Sequence, residues 1–255
     1  MEMPQAPQLP VPGTPPPQPP RTHFKKPFDP KNVFVAAAIL IAGIVIAISV
    51  YILHLHDRIV NDAPNPEVTR PVTPSDHIIG DPSAPITVIE YGDIDSSYSK
   101  QFQLTMEQIM TEYLAGGKVA WVYRHFPLTT DHQYAATNAL AAECAGSLGS
   151  GTIFFRFIDA LETAAPNGDE FNPQNYGPVL ATLGIAQDAF TTCMANGTFT
   201  QHIHDDYDNA LAAGATGSPF IILLIHGQKP MPIQGAVPYT AMKKILDNAI
   251  AKLPS

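Results

Sequence analysis

The chain has 255 residues, of which 26 are proline and two are cysteine, and a formal net charge of −9. This length allows one or two domains, and the acidic balance excludes nucleic acid and anionic lipid headgroups as partners of the folded part, because like charges repel. The charge is uneven: Arg21, Lys25, Lys26 and Lys31 outnumber Glu2 and Asp29 in residues 1–32, so the rest of the chain is more acidic than the whole.

Residues 1–32 carry Pro4, Pro7, Pro10, Pro12, Pro15, Pro16, Pro17, Pro19 and Pro20 and few side chains able to pack. Proline fixes φ and removes a backbone donor, so this stretch reads as an extended or disordered solvated tail. Residues 33–53 follow without one charge, about the length that crosses a hydrocarbon core as a helix. The basic flank precedes the run, which places the tail in the cytoplasm and exports the remainder. A cleaved signal peptide also has a basic start and an apolar stretch. Here the run is too long, its basic start lies behind proline-rich residues and no small-x-small site follows, so an uncleaved signal anchor is expected. Residues 54–75, with Pro64, Pro66, Pro71 and Pro74, read as a semi-rigid spacer.

The exported part opens with a strand at Ile86 to Tyr91, a helix from about Ser97 to Leu114 carrying Phe102, Met106, Ile109 and Met110, and a strand over Lys118 to Phe126. A strand, helix and strand in that order favour a right-handed crossover and parallel pairing. Residues 131–199 turn helical and alanine-rich, with helices expected at Tyr134 to Gly146, Ile153 to Thr163, Tyr176 to Leu183 and Gln187 to Ala195. A long helix at Thr200 to Ala213, strands at Pro219 to Ile225 and Met231 to Gln234, and a final helix at Tyr239 to Ala251 complete the chain.

Three groups of residues carry a resemblance. Gly80-Asp81-Pro82-Ser83-Ala84-Pro85, Glu90-Tyr91 and Tyr98-x-Lys100-x-Phe102 resemble the opening of the DsbA-type branch of the thioredoxin superfamily. Gly217-Ser218-Pro219-Phe220, followed by Gln234-Gly235-Ala236-x-Pro238-Tyr239, is similar to its ending. The likeness runs from about His77 to Ile250. It implies an α/β thioredoxin fold with an inserted helical domain: first half at 76–130, insertion at 131–199, second half at 200–255. It also implies a cis Pro219 facing the helix start, client contact at Tyr98, Ser218 and Pro219, and residence in a bacterial cell membrane. The family's Cys-x-x-Cys falls on Ser96, Ser97, Tyr98 and Ser99, and both sulfurs are gone. Ser97 also stands for the usual proline and Ser218 for the usual threonine, which favours a natural site that has drifted over the alternative of an engineered Cys-to-Ser pair.

A hydroxyl cannot form a mixed disulfide, so ordinary thiol exchange is excluded at Ser96 and Ser99. A serine hydrolase is weakly supported, since there is no nucleophile elbow and nothing fixes His125, His132, His202 or His204 beside Ser96. Capping of the helix by Ser96 or Ser97 is the simpler role. Cys144 and Cys193, an even pair in an exported chain, point to a structural disulfide, with two free thiols or a relocated redox pair as alternatives. His202, His204, Asp205 and Asp206 read as a solvated polar face rather than a metal site, and neither metal nor cofactor is expected. Asn196-Gly197-Thr198 matches a glycosylation sequon, which has meaning only in a glycosylating pathway.

These readings make the chain a single-pass membrane protein whose exported domain binds protein or peptide clients without exchanging thiols. The alternatives are an oxidoreductase using Cys144 and Cys193 or a partner's thiols, and a scaffold acting through its tail and anchor.

Overall fold

A computed structural model describes residues 40–52, 65–149, 151–166 and 170–253. The chain divides into two units, 1–58 and 59–255. In the first, residues 40–52 form helix α1, whose apolar side chains from Leu40 to Ile52 are exposed. Among the described residues no helix is long and apolar enough to cross a membrane. The tail, residues 33–39 and Leu53 of the expected anchor, and residues 54–64 of the spacer lie outside the described residues.

The second unit is built on a five-stranded sheet of order β1-β3-β2-β4-β5. Its strands are β1 (His77–Ile79), β2 (Ile86–Gly92), β3 (Val119–His125), β4 (Phe220–Ile225) and β5 (Met231–Gln234). Strands β2 and β3 run parallel, Ile86 opposite Val119 and Gly92 opposite His125, joined by helix α2 (Ser97–Tyr113). Strand β4 lies antiparallel on the other side of β2. Both β2 and β3 are buried along their whole length, which their near-continuous apolar sequences require.

Alternation along these strands feeds two cores. Ile86, Val88 and Trp121 pack with Phe102 and Met106 of α2 and with Met242 and Leu246 of α8 (Tyr239–Ile250). Ile89, Tyr91, Val122 and Phe220 pack on the opposite face with Ala210 and Ala213 of α7 (Thr200–Ala213). The insertion, α3 (Ala135–Leu148), α4 (Ile153–Ala164), α5 (Tyr176–Leu183) and α6 (Gln187–Asn196), extends the first core through Phe154, Phe157, Leu180 and Phe190. Cys144 of α3 and Cys193 of α6 form a disulfide with Cα atoms 5.8 Å apart, closing a separation of 49 residues. A loop of that size stabilises by roughly 4 kcal/mol on the chain-entropy account.

Helices α2 to α8 agree with the sequence expectations to within one or two residues at each end. Strand β1 was not expected. It is three residues long, too short for a periodic signal, and exists because His77 to Ile79 pair antiparallel with Tyr123 to Trp121. Gly92 ends β2 where a side chain has no room: a Cβ there would meet the Tyr123 ring at 2.6 Å.

Candidate functional site

Past Gly92 the chain turns through Asp93, Ile94 and Asp95 and enters α2, with Ser96 as its N-cap. The Ser96 Oγ accepts the Ser99 N–H at 3.5 Å, so the capping role expected for Ser96 or Ser97 falls to Ser96. The Ser218–Pro219 bond is cis and brings Ser218 against this helix start. There the Ser99 and Ser218 hydroxyls bond each other at 2.6 Å, and the Asp93 N–H donates to Ser218 Oγ at 2.8 Å and to Ser99 Oγ at 3.2 Å. The Ser96 O–H donates to the Ser218 carbonyl at 3.5 Å. Ser96, Ser99 and Ser218 are buried, whereas Ser97 is exposed and Tyr98 is 66% exposed.

Two buried carboxylates hold the turn. Asp93 accepts from the backbone of Asp95 and Leu128, at 3.0 and 2.8 Å, and pairs with His132 Nδ1 at 2.8 Å. Asp95 accepts from the Phe171 N–H at 3.0 Å and from Asn138 Nδ2 of α3, so the insertion fixes the turn from behind. Burial pushes the Asp95 carboxyl up, against the pull of these donors. Among the described residues no histidine bonds to Ser96, Ser99 or Ser218, and the ring of His132 is committed to Asp93. These hydroxyls are donors and acceptors within a closed network, with no base to make one a nucleophile.

A cavity of about 330 Å³ opens beside this network, lined by Tyr98, Gln101, Thr216, Gly217, Ser218 and Gln234 to Ala236. Gln101 also borders a second cavity of about 650 Å³ between α2 and α4, lined by Ser97, Leu104, Glu107, Asp159, Glu162 and Pro166 among others. Burial, with the charges of Glu90 and Asp159, pushes Glu162 up to about 9, and burial with Asp159 pushes Glu107 up to about 7. Glu90 itself is fully buried on β2. Burial raises it to about 8 against a single bond from Trp121 Nε1 at 3.0 Å, and its other oxygen has no partner. In the sequence Glu90 stands out only as an acid inside an otherwise apolar strand. The acidic lining of the larger cavity comes from two separate helices and left no sequence signal.

The remaining candidates lie elsewhere. Cys144 is fully buried, and the cystine shares no residue with either cavity. The solvated face expected around His202 needs correction. His204 is exposed beside Asp208, but Asp206 is 1% exposed and His202 is 25% exposed, because α7 turns these two toward β3 and α3. Among the described residues no three His, Cys, Asp or Glu side chains are placed to hold a metal ion.

Comparison with known proteins agrees with the fold. The family model described as thioredoxin matches residues 72–248. The Na(+)/H(+) antiporter NhaA 1 of Salinispora arenicola is 33% identical over 150 residues, covering 58% of this chain and 22% of that protein. The Na(+)/H(+) antiporter NhaA 3 of Salinispora tropica is 32% identical over 150 residues with the same coverage, 58% and 22%. The chain thus spans about a fifth of the length of these curated relatives. Among solved structures, Wolbachia pipientis alpha-DsbA1 superposes with a TM-score of 0.61 at 22% identity, covering 72% of this chain and 96% of that one. Pseudomonas aeruginosa DsbA2 gives 0.60 at 23% identity, covering 72% and 100%. Oxidised BdbD from Bacillus subtilis gives 0.61 at 18% identity, covering 71% and 96%.

Proposed function

The chain belongs to the thioredoxin family, in its DsbA-like form, and on that premise we propose that its exported domain binds extended protein or peptide clients without exchanging thiols with them. The observation that carries this reading is the sealed network of Ser96, Ser99 and Ser218 hydroxyls beside an open cavity rimmed by exposed Tyr98. Exchange needs a thiolate to attack and a second sulfur to resolve the mixed disulfide, and neither helix position supplies one. What remains is recognition: an exposed aromatic ring, the Thr216 to Ser218 backbone and a helix N-terminus, which together suit an extended peptide.

The test uses the full chain in detergent micelles. Dithiol oxidation is expected to be absent from the unaltered protein and present in Ser96→Cys/Ser99→Cys, while a photoreactive group at Tyr98 labels bound peptide in both. Activity in the unaltered protein that disappears with Cys144→Ala would instead favour the relocated redox pair.

The same proposal places the domain on a membrane. Support comes from the uncharged run 33–53 with its basic amino flank, which predicts an amino end in the cytoplasm and residues beyond 54 outside it. The relatives named as antiporters favour a second reading, in which this domain works alongside a membrane transporter. Topology reporters joined at residue 20 and after residue 255 test the orientation, and reporters active on the same side refute it.

A further inference from the structure

Away from the groove, five titratable side chains and one arginine meet where α3 and α7 cross the sheet. Glu143 of α3 is buried, and its Oε1 accepts from His77 Nε2 of β1 and His125 Nε2 of β3, both at 3.0 Å. Asp206 of α7 is buried too; it accepts the His125 backbone N–H at 3.0 Å and pairs with Arg70 from the segment before β1. From α4 the neighbour is Phe154, stacked on the His77 ring with centroids 3.4 Å apart. With the imidazoles neutral, the cluster holds two carboxylates against one guanidinium.

His202 differs from His77 and His125. Its Nε2 lies 3.6 Å from Glu143 and 3.7 Å from Asp206, between two carboxylates and just outside hydrogen-bond distance of both. The His125 Nδ1 is buried without a partner, and an N–H there would be an unsatisfied donor. His77 already donates to Glu143. His202 keeps a quarter of its side chain in solvent, so a proton can reach it.

We infer that His202 is a proton-operated latch: on acidification its imidazole takes up a proton, balances the surplus carboxylate and closes onto Glu143 and Asp206, seating α7 against α3 and β3. Burial pushes the Asp206 carboxyl up, and the Arg70 guanidinium opposes that rise. His204, two residues on and 64% exposed beside Asp208, lacks this setting and serves as the internal control. The latch is independent of what the groove binds.

Hydrogen exchange of the full chain tests it, followed by mass spectrometry and corrected for the intrinsic pH dependence of exchange. Protection of residues 200–213 is expected to rise about ten-fold between about pH 8 and pH 5, the range in which imidazoles change charge. His202→Gln is expected to abolish the rise and His204→Gln to keep it. An unchanged or falling protection in the unaltered protein overturns the inference, as does a rise that survives His202→Gln or one that His77→Gln alone removes. Titration of the His202 ring proton resonances in the unaltered protein gives a second reading without a variant: a ring whose shift does not move over that range also overturns it.

Discussion

Two buried polar networks sit at the carboxyl ends of neighbouring strands and are built from opposite materials. After β2, Ser96, Ser99, Ser218 and the Asp93 N–H form a set of neutral donors and acceptors. At the end of β3, His125, His77, Glu143, Asp206 and Arg70 form an ionic set. A neutral network has nothing to titrate and stays the same across pH, whereas a charged one in low dielectric changes its energy with every proton it gains or loses. The serine hydroxyls therefore carry no titratable side chain of their own, whereas every side chain of the second set does.

The largest break in that contrast comes from Glu143→Ala, which leaves His77 and His125 without their shared acceptor. Removing one side of a buried charge-assisted set costs roughly 3 kcal/mol, read as a fall in denaturant midpoint at neutral pH. Burial alone would raise this carboxyl, but the bonds from His125 and His77 outweigh burial and hold it well below the usual range. A group depressed in the folded state contributes stability above its unfolded value of about 4.3, lost as pH falls through the folded value. The unaltered protein should accordingly lose midpoint below about pH 4 more steeply than Glu143→Ala.

Glu90 sharpens the comparison from the other direction. It lies on β2, three residues before Asp93, where the turn that leads to the serines begins, and burial raises it to about 8. The folded state binds this proton more tightly than the unfolded chain, so its contribution is full below about pH 4.3 and declines as pH rises toward 8. Glu90→Gln keeps a neutral side chain and removes that decline. Its denaturant midpoint should exceed that of the unaltered protein at pH 9 by roughly 2 kcal/mol or more and match it only below about pH 4. Equal midpoints at both would mean that the carboxyl finds a partner on opening.

How much of this was readable beforehand follows from where the information sits along the chain. The β2-α2-β3 unit and the Ser218–Pro219 loop were legible because each is a contiguous word: an apolar strand, a Ser cap before Phe102 and Met106, a Gly-Ser-Pro before Phe220. The disulfide was legible because two cysteines permit one pairing. The ionic cluster was not, since its members come from residues 70, 77, 125, 143, 202 and 206 and meet only when α7 packs on β3. Read locally, His202 and Asp206 belong to a polar helix, and only the sheet beneath α7 turns one face of it inward. The acidic cavity escaped for the same reason, with Glu107 on α2 and Asp159 and Glu162 on α4.

The smallest effect expected is at Ser96, and it separates the two networks most cleanly. Its hydroxyl caps α2 through the Ser99 N–H and donates to the Ser218 carbonyl, with both contacts at 3.5 Å, the long limit of a hydrogen bond. Ser96→Ala removes a cap and a weak tie at once, which places the loss at about 1 kcal/mol. No charge changes in either state, so the difference in midpoint between variant and parent should be flat from about pH 5 to pH 9. A slope in that difference would show that the cap is coupled to a titrating neighbour, and Asp95, whose carboxyl burial raises one residue away, would be that neighbour. A flat difference together with a sloping one for Glu143→Ala would establish that the two strand ends respond to protons independently, although Gly92 and His125 stand opposite each other in the sheet.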